Sequence, residues 1–515
     1  MKVPLGKWLP DIQSLGNPGL SRCINAVPTG LGYRSMMGLA YGSGGVLSTA
    51  PILGALSVQK GSTLIDYIGD ATKLYSATYV YPTVTQTNVT KVSATYSATV
   101  SLKWDFTQYN EFVLACDGGV VGADPIQVIA IGGANFADLG GSPPKAKTID
   151  TIRDFVVVGH TYDATDGERG NRVRWSAFGN HASWAVSAST QADFQDLKSS
   201  TGNVQRICGG EDGIIVTENN VFHMIYEGPP TIFRFDEIAE VGTQHAHSVV
   251  RIGDYVYFYA RQGPVRVGVD GSIKYIARGQ CEEFIRRVIN AGANPSIIGY
   301  YDAQEGAYGL YIVETIKGFQ YYPDFDQWTE IFWAVNLSTP AESVPEYYVW
   351  GSRIFTTPSN VPLETIAFKA SPGPSGLVDD AIYFRGDPTL NDQSGYTTSA
   401  LELNPGGRAI LQLVRLNQSV WGDSADPASP TAVVSVSAFS NMGQADMDHD
   451  VVSRAQVPAT AESIALTKNT TKNHYEGRIE GRYHFIDIWS EENGNEDRAS
   501  ISEIEVLYSS SSGKY

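Results

Sequence analysis

The feature that most constrains this chain is a recurring pair of short apolar strands joined by a polar turn. It is clear at residues 63–75 (TLIDYIGDATKLY) and 213–226 (GIIVTENNVFHMIY), where aromatic and β-branched residues flank turns rich in Asp, Asn and Gly. Each stretch predicts a β-hairpin. Further units begin near residues 111, 301 and 347, so the starts recur at roughly 40–60 residues, the interval typical of β-propeller blades. Roughly six or seven blades fit this spacing.

The composition agrees with a strand-rich chain. The 515 residues include 52 glycines and 28 tyrosines, and 18% are charged, a balance that favours strands and turns over helices. One stretch, 280–291 (QCEEFIRRVINA), predicts a helix with Phe284, Val288 and Ile289 on one face. We interpret this helix as an insertion between blades. The predicted fold class is therefore all-β.

Changes in composition divide the chain into four predicted segments. Residues 1–62 are rich in Gly and Pro and lack periodicity, which predicts an extended N-terminal platform arm that is loose in the monomer. Residues 63–370 hold the hairpins of an irregular β-propeller, and residues 371–399, dense in Pro, Gly, Asp and Ser, predict a linker. Alternating apolar residues over 400–515 predict a C-terminal β-sandwich domain.

The charge and the cysteines exclude several classes of protein. A net charge of −18 argues against general nucleic-acid binding, which needs concentrated Lys and Arg. No apolar run reaches the length of about eighteen residues that a membrane helix needs, so no membrane span is expected. The cysteines lie far apart without a CxxC pair, which predicts buried thiols in place of a zinc site or a disulfide framework: Cys23, Cys116, Cys208 and Cys281.

Several motifs occur in the order found in one known protein family. They are Trp8-Leu9-Pro10-Asp11, Asn17-Pro18-Gly19, FADLGGSPP (136–144), RDFVV (153–157), NRVRWS (171–176), QADFQDL (191–197), FRFDEI (233–238), YYPDFDQWT (321–329) and GRYH (481–484). Together they resemble the tail nozzle proteins of short-tailed bacteriophages (podoviruses). This family is also called tail tubular protein B and, in one branch, packaged-DNA stabilisation protein. Residues 400–480 match the pattern only loosely.

The resemblance implies a structural virion protein that is not an enzyme and needs no cofactor. Proteins of this family form a hexameric, ring-shaped nozzle that docks below the portal and adaptor rings and forms the channel for DNA ejection. They also support tail fibres, spikes or needle proteins. By resemblance, we expect a homohexamer that is assembled in the host bacterial cytoplasm and resides in the virion tail. The genomic DNA would pass through the ring without specific binding.

Two sets of residues are candidates for assembly and for the channel wall. Trp8, Tyr33 and Arg34 lie in the basic first segment and are the candidate anchors that order on a neighbouring subunit or on the adaptor ring. The second set belongs to the acidic C-terminal stretch, whose negative charge would repel passing phosphates. Its members are Glu491, Glu492, Glu496 and Asp497.

Two acidic stretches have the side chains of a hard-cation site, but no metal is predicted. The turn at 163–168 (DATDGE) could hold Ca²⁺ in a glycine-bent loop, yet its spacing departs from the EF-hand and favours a solvated hairpin loop. Residues 446–450 (DMDHD) would place three carboxylates on one side of a strand, and a surface loop is again the preferred interpretation.

Histidines offer a second kind of metal site. His245 and His247 would share one face of a strand and could bind a borderline metal with His223 or Asp254. Because the sequence shows no third ligand at a characteristic spacing, a propeller loop is the preferred interpretation. Neither a P-loop, an HExxH motif nor a GxSxG motif occurs in the chain.

The alternative function is a glycan-binding or glycan-degrading β-propeller. Paired carboxylates for glycoside cleavage can come from different blades and leave no local motif. Six tryptophans could stack on sugars, although packing between blades is favoured: Trp104, Trp175, Trp184, Trp328, Trp333 and Trp350. A secreted adhesion protein is a third hypothesis, for which the sequence shows no export signal.

Overall fold

The computed structural model describes most of residues 1–331 and a smaller part of the C-terminal region. The described ranges are 1–13, 15–30, 32–36, 39–41, 52–80, 83–98, 103–291, 295–315, 317–331, 346–349, 355–356, 362–370, 381–385, 395–405, 408–421, 432–439, 462–469, 474–490 and 498–510. Within these ranges the regular secondary structure is almost entirely β-strand.

Five short strands lie in the N-terminal region, and twenty-four further strands follow before residue 332. The first five are β1 Lys2–Pro4, β2 Leu20–Ile24, β3 Ala26–Pro28, β4 Tyr33–Ser35 and β5 Leu39–Tyr41. The next twelve are β6 Gly54–Lys60, β7 Thr63–Gly69, β8 Leu74–Val80, β9 Thr83–Asn88, β10 Asp105–Tyr109, β11 Phe112–Cys116, β12 Gln127–Ala130, β13 Ala137–Asp138, β14 Lys145–Ile152, β15 Phe155–Asp163, β16 Gly167–Trp175 and β17 Asp193–Asp196. The remaining twelve are β18 Val204–Cys208, β19 Gly213–Thr217, β20 Val221–Gly228, β21 Ile232–Ala239, β22 Val250–Ile252, β23 Tyr255–Ala260, β24 Gly263–Gly268, β25 Ile273–Tyr275, β26 Ile297–Asp302, β27 Ala307–Ile312, β28 Lys317–Tyr322 and β29 Gln327–Ile331.

The helical segments are short, and twelve strands follow β29 in the described residues. The helix α1 spans Glu282–Asn290, and 3-10 turns lie at Ser199–Thr201, Ala246–Ser248 and Val313–Thr315. The later strands are β30 Glu346–Val349, β31 Phe355–Thr356, β32 Pro362–Ala370, β33 Ala381–Arg385, β34 Gly395–Thr398, β35 Ala409–Trp421, β36 Ala432–Phe439, β37 Glu462–Ala465, β38 Thr467–Asn469, β39 His474–Gly481, β40 Tyr483–Ser490 and β41 Arg498–Ser510.

The strands β6–β29 form six antiparallel four-stranded units, in each of which every strand pairs with the next along the chain. We call these units blades 1–6, made of β6–β9, β10–β13, β14–β17, β18–β21, β22–β25 and β26–β29. Hairpins join their strands because short polar turns separate the apolar runs. The recurring hairpins predicted from the sequence are therefore present, and the six described blades match one of the two expected blade numbers.

The blades stack face to face in the order of the sequence. In β11, Val113 and Ala115 pack toward blade 1, whereas Leu114 and Cys116 pack toward blade 3. Successive side chains of a strand point to opposite faces, so a strand between two blades needs apolar residues at every position. The same division between two cores recurs in β15 and β19. This explains the continuous apolar runs at these strands.

The first strands of the blades converge at the centre of the stack. β10 contacts both β6 and β14, β14 contacts β18, and β22 contacts β26. The Nζ of Lys103, just before blade 2, donates a hydrogen bond to the Oγ of Ser296, just before blade 6, at 2.7 Å. Blades that are not neighbours in sequence thus approach each other where their first strands begin, as they do around a propeller axis. The predicted all-β propeller is confirmed.

A further repeat was expected near residue 347, and the structure differs there. β30, β32 and β33 form a separate sheet with β5 from the N-terminal region, and β31 pairs with β32. The pairing order is β30-β32-β33-β5, so this unit is not a meander of consecutive strands like blades 1–6. A local hairpin pattern does not reveal a partner strand that lies more than three hundred residues earlier, such as Tyr41 opposite Tyr383.

A two-layer β-sandwich occupies the C-terminal region. One layer has the strand order β3-β4-β41-β35-β39-β38, and the other continues blade 6 as β29-β2-β34-β40-β36-β37. Leu411 and Val414 of the first layer share one core with Val434 and Ile486 of the second. The expected sandwich is therefore present, and a continuous nine-stranded sheet joins it to the propeller.

The N-terminal segment differs from the loose arm that its composition suggested. β1 pairs with β41, with Val3 opposite Ile504, and the hairpin β3–β4 extends the same sheet. β2 lies between β29 and β34 in the other layer. Strand edges expose unpaired N–H and C=O groups, and β1 and β4 pair with the edge that β41 would otherwise expose. The expectation that this segment is loose in the monomer is wrong for these strands.

The predicted helix is confirmed as α1, and it lies between blades 5 and 6 in the sequence. Ile285 and Ile289 are fully buried in the same core that joins the sandwich to blade 6, and Phe284 and Val288 pack against it. The Asp11 carboxylate accepts hydrogen bonds from the backbone N–H groups of Glu283 and Phe284 at 2.7 and 2.8 Å. The N-terminal segment therefore caps this helix.

Candidate functional site

The three candidate anchors lie within the fold of their own chain. Trp8 is 1% exposed and its ring lies between Phe284 and Phe319, with centroid distances of 5.4 and 6.2 Å. Tyr33 is equally buried, and its hydroxyl lies 2.9 Å from the Gly6 carbonyl oxygen. Both rings are covered by this chain, so in this structure neither is open to another subunit. Their role in assembly stays a prediction.

Arg34, the third candidate anchor, is partly exposed and forms an ion pair. Its guanidinium contacts the carboxylate of Glu305, in the turn between β26 and β27, while its own strand β4 belongs to the sandwich. The pair therefore ties the sandwich to blade 6. Because the Arg34 side chain retains 22% exposure, it is the one of the three that still reaches the surface.

Several predicted residues lie outside the described ranges. These are the acidic channel candidates Glu491, Glu492, Glu496 and Asp497, the acidic stretch 446–450, and Trp333 and Trp350. The remaining four tryptophans are buried, which confirms their packing role: Trp104, Trp175, Trp184 and Trp328. All four cysteines are also buried and free, as expected.

The acidic turn between β15 and β16 is a hairpin loop whose carboxylates have protein partners. Asp163 Oδ1 accepts the backbone N–H groups of Thr165 and Asp166 at 2.9 and 2.8 Å. Asp166 pairs with Arg172, and Glu168 pairs with His160. These contacts account for the acidic residues as turn and ion-pair groups, in agreement with the preferred interpretation of a hairpin loop.

The three candidate histidines are not brought together around a common point. His223 pairs with Asp212, His245 packs edge-on against Tyr259 at 5.6 Å, and His247 belongs to the 3-10 turn before blade 5. Among the described residues, no group of three His, Cys, Asp or Glu side chains has the geometry to hold a metal ion. The described helix is also too short to cross a membrane.

Two buried carboxylates join the first strands of blades 2, 3 and 4. Asp105 of β10 accepts the Thr148 hydroxyl and the Ile149 backbone N–H of β14 at 2.7 and 3.0 Å, and it contacts Arg206 of β18 at 2.9 Å. Charge-assisted hydrogen bonds of this kind are short and strong. The first strands are thereby held in register around the axis.

Asp150 repeats this arrangement one blade further on. Its carboxylate accepts the Thr107 hydroxyl of β10 at 2.9 Å and the backbone N–H of Gly209, just after β18, at 2.7 Å. Burial raises the pKa of Asp150, although its backbone hydrogen bonds oppose that effect. Each of the two aspartates therefore contacts three blades.

Basic side chains from the first strands of blades 3 and 4, and from the segments just before blades 2 and 5, lie near one another around the axis. We call Lys103, Lys147, Arg206 and His247 the axial basic cluster; they come from positions at or just before the first strands of blades 2, 3, 4 and 5. Lys147 Nζ donates to Gln205 Oε1 at 2.9 Å. The cluster was not predicted, because its members are far apart in sequence and form no local motif.

The environment of the cluster disfavours further positive charge. The pKa of His247 lies well below its ordinary value, first because its half-buried position desolvates the ring and then because Arg206, Lys103 and Lys147 repel a proton there. Burial also lowers the pKa of Lys147, and the nearby Glu218 only partly opposes this. The cluster thus offers N–H donors and positive charge at the centre of the propeller.

Comparison with known proteins supplies fold-level neighbours only. No family model and no curated protein matches the sequence. The extracellular domain of the BT4673 hybrid two-component system from B. thetaiotaomicron is 12% identical with a TM-score of 0.41, over 74% of this chain and 44% of that one. Streptogramin B lyase is 12% identical with a TM-score of 0.39, over 68% and 97% of the two chains. YCF48 from Cyanidioschyzon merolae is 8% identical with a TM-score of 0.37, over 68% and 98%.

The chain spans less than half the length of the BT4673 domain. The stacking of the six blades and their converging first strands define its class: it is a β-propeller protein with an attached β-sandwich.

Proposed function

We propose that this protein is a structural subunit of the tail nozzle of a short-tailed bacteriophage. In this proposal, copies of the chain form a ring, expected to be a hexamer, that docks below the portal and adaptor rings in the virion. The ring surrounds the DNA ejection channel and supports fibres, spikes or needle proteins. The proposal assigns the chain no enzymatic activity. Its main support is that the motifs shared with this family hold the fold together.

The first two motifs organise the N-terminal segment. Asp11 caps α1, and the Asn17 amide donates to the Leu9 carbonyl oxygen at 2.9 Å while its oxygen accepts the Gly19 N–H at 2.8 Å. These contacts fix the turn that returns the chain from Trp8 to β2. The motif residues therefore have structural roles, as expected of a family defined by assembly.

Motifs in blade 3 form one interlocked group. Arg172 contacts the carboxylates of Asp166 and Asp196, and its guanidinium lies 4.0 Å from the centre of the Phe194 ring. The Trp175 indole N–H donates to the Gln191 carbonyl oxygen at 2.9 Å. Paired and stacked arginines of this kind fix local geometry. They join β16 to the outer strand β17.

The motif at 321–329 connects the propeller to the N-terminal segment. Asp326 Oδ1 accepts the Tyr321 hydroxyl at 2.8 Å and the Lys274 ammonium at 2.6 Å, and the Asp326 carbonyl oxygen accepts Lys7 Nζ at 2.8 Å. One residue thus joins blade 5, blade 6 and the start of the chain. A subunit that transmits load around a ring benefits from such cross-links between its parts.

The test of this proposal uses the full chain. Deleting residues 1–35 would remove β1–β4 from the sandwich. A truncated protein that fails to attach could therefore have lost either its docking contacts or its fold. We expect the purified chain to attach to particles that carry portal and adaptor rings but lack a nozzle, and to appear there as a ring in electron-microscopy class averages. Arg34→Ala is the anchor variant, and Arg415→Ala, which also removes an exposed ion pair, is its control. A chain that stays unattached would contradict the proposal.

A second candidate function is glycan binding or cleavage by the propeller. The observation that favours it is the axial basic cluster, because propeller ligands are commonly held by residues gathered around the axis. It predicts that the isolated chain is retained on immobilised bacterial surface polysaccharide or releases sugars from it. Retention or release would support this function. The absence of both retention and release on a panel of host polysaccharides would contradict it.

A further inference from the structure

We propose that the axial basic cluster binds a compact oxyanion, namely a phosphate, sulfate or carboxylate group of a ligand. This site goes beyond the nozzle proposal, since ring assembly does not require it. The inference stands on the convergence of four basic side chains from different blades, on the partial exposure of three of them and on the chemistry of their present partners. Lys147, Arg206 and His247 are partly exposed, whereas Lys103 is buried.

The geometry builds the site from rigid elements. Lys147 and Arg206 belong to the first strands β14 and β18, and the Asp105 carboxylate holds these two strands together. Lys103 reaches across the axis to Ser296, which precedes blade 6. Side chains fixed on strands position a ligand more precisely than side chains on loops.

The two lysines of the cluster donate hydrogen bonds to uncharged acceptors, whereas Arg206 is paired with the Asp105 carboxylate. Lys147 donates to the amide oxygen of Gln205, and Lys103 donates to the hydroxyl of Ser296. Gln205 in turn donates to Glu218 Oε1 at 3.3 Å, so its amide links Lys147 to the Glu218 carboxylate. A ligand oxygen that carries negative charge is a stronger acceptor than an amide or a hydroxyl. An oxyanion would therefore gain charge-assisted hydrogen bonds on entering.

The electrostatics point to the same ligand. Burial disfavours the charged form of Lys147 and of His247, and the three neighbouring cations add to the cost at His247. A bound negative charge reverses both effects and raises the two pKa values. Lys147 and His247 are half-buried, and the Arg206 side chain is 25% exposed, so solvent reaches the cluster.

The experiment follows the His247 ring by NMR in the full chain labelled at histidine. Inorganic phosphate, sulfate and glucuronate are added separately at constant ionic strength, with chloride as the reference salt. We expect one or more of the three anions to raise the pKa of His247, by on the order of one unit. Phosphate or sulfate alone would indicate a phosphorylated or sulfated ligand, and glucuronate alone would indicate a uronic acid.

Two lysine variants separate the site from general charge. Lys147→Met keeps the length of the side chain but removes its charge, and we expect it to weaken anion binding about tenfold or more. Lys198→Met is the matched control, because Lys198 is exposed and does not belong to the axial basic cluster. Its Nζ lies 3.4 Å from the carboxylate of Glu237. An unchanged His247 titration in all three anions would overturn the proposal. Equal anion binding by the two variants would overturn it as well.

Discussion

The carboxylate of Asp11 accepts the backbone N–H of Phe284 at 2.8 Å, across 273 residues of sequence. It also accepts the N–H of Glu283, so a residue of the N-terminal segment supplies the N-terminal cap of α1. The first turn of a helix leaves N–H groups without intrahelical partners. The helix and the N-terminal segment therefore stabilise each other.

Replacing Asp11 by Ala should weaken this connection. We expect the free energy of unfolding to fall by about 1 kcal/mol, the typical cost of a lost helix cap. Asp11→Asn retains an acceptor oxygen and should lose less. Denaturant titrations followed by circular dichroism measure both variants. A stability of Asp11→Ala equal to that of the unmodified chain would show that the cap does not contribute.

Trp8→Ala should be among the most destabilising substitutions in the N-terminal segment. The indole is buried between Phe284 and Phe319, and its removal leaves a large cavity. We expect a loss of about 3–5 kcal/mol in the free energy of unfolding. Val80→Ala is the control, since Val80 is 73% exposed. Equal effects of the two substitutions would be inconsistent with the packing described for Trp8.

Asp105→Asn tests the junction between blades 2, 3 and 4. The substitution removes the charge that faces Arg206 while keeping the shape of the side chain. We expect a loss of roughly 3 kcal/mol, because a buried group loses its charged partner. Asp236→Asn, in an exposed pair with Arg234, should change the unfolding free energy by less than about 1 kcal/mol. Chemical denaturation of both variants decides the comparison.

The pH dependence of stability should carry the signature of His247. Its pKa in the folded chain lies well below the ordinary value of 6.5, so the unfolded chain binds this proton more readily. The stability from keeping the ring neutral is complete above the unfolded pKa and is lost as the pH falls toward the folded pKa. The slope is at most about 1.4 kcal/mol per pH unit for one group.

His247→Gln should flatten this slope without abolishing it. Burial also lowers the pKa values of His181, His245 and His484, so those residues contribute in the same direction. Denaturant midpoints measured across a series of pH values below neutrality give the slopes of the two proteins. Identical slopes would rule out a contribution from His247.

The four cysteines should be unreactive in the folded protein. All are buried, and burial raises the pKa of each thiol, that of Cys208 to about 12. The reactive species is the thiolate, so a thiol reagent should label the chain only after unfolding. Quantitative labelling with and without denaturant measures this. Rapid labelling of the folded chain would contradict the burial of at least one cysteine.

The local part of this fold was predictable and the long-range part was not. Apolar hairpins recurring along the chain indicated blades, and the helix α1 followed from its apolar face. The pairing of Val3 with Ile504 and of Tyr41 with Tyr383 could not be inferred, because the local sequence of an edge strand does not identify its distant partner. The composition of the N-terminal segment therefore predicts ordering on a neighbouring subunit or on the adaptor ring, whereas β1 and β4 pair with β41 of the same chain.

The candidate site illustrates the same limit. Lys103, Lys147, Arg206, His247 and Ser296 each lie at or just before the first strand of a different blade, at the roughly 40–60-residue spacing of the repeat. The signal available in the sequence was a polar residue that recurs at or just before the first strand of successive blades. It becomes visible only when the blades are aligned with one another, which requires their boundaries.

The pairing of β1 with β41 also limits the order in which the strands can pair during synthesis. The hairpins of blades 1–5 need only neighbouring residues and can close as they emerge. β1 and the hairpin β3–β4 are synthesised among the first strands, yet the edge that receives them is translated after every other described strand. Until then their backbone groups are available to chaperones and to other nascent chains. The sandwich can therefore be completed only after all the other described strands have been synthesised.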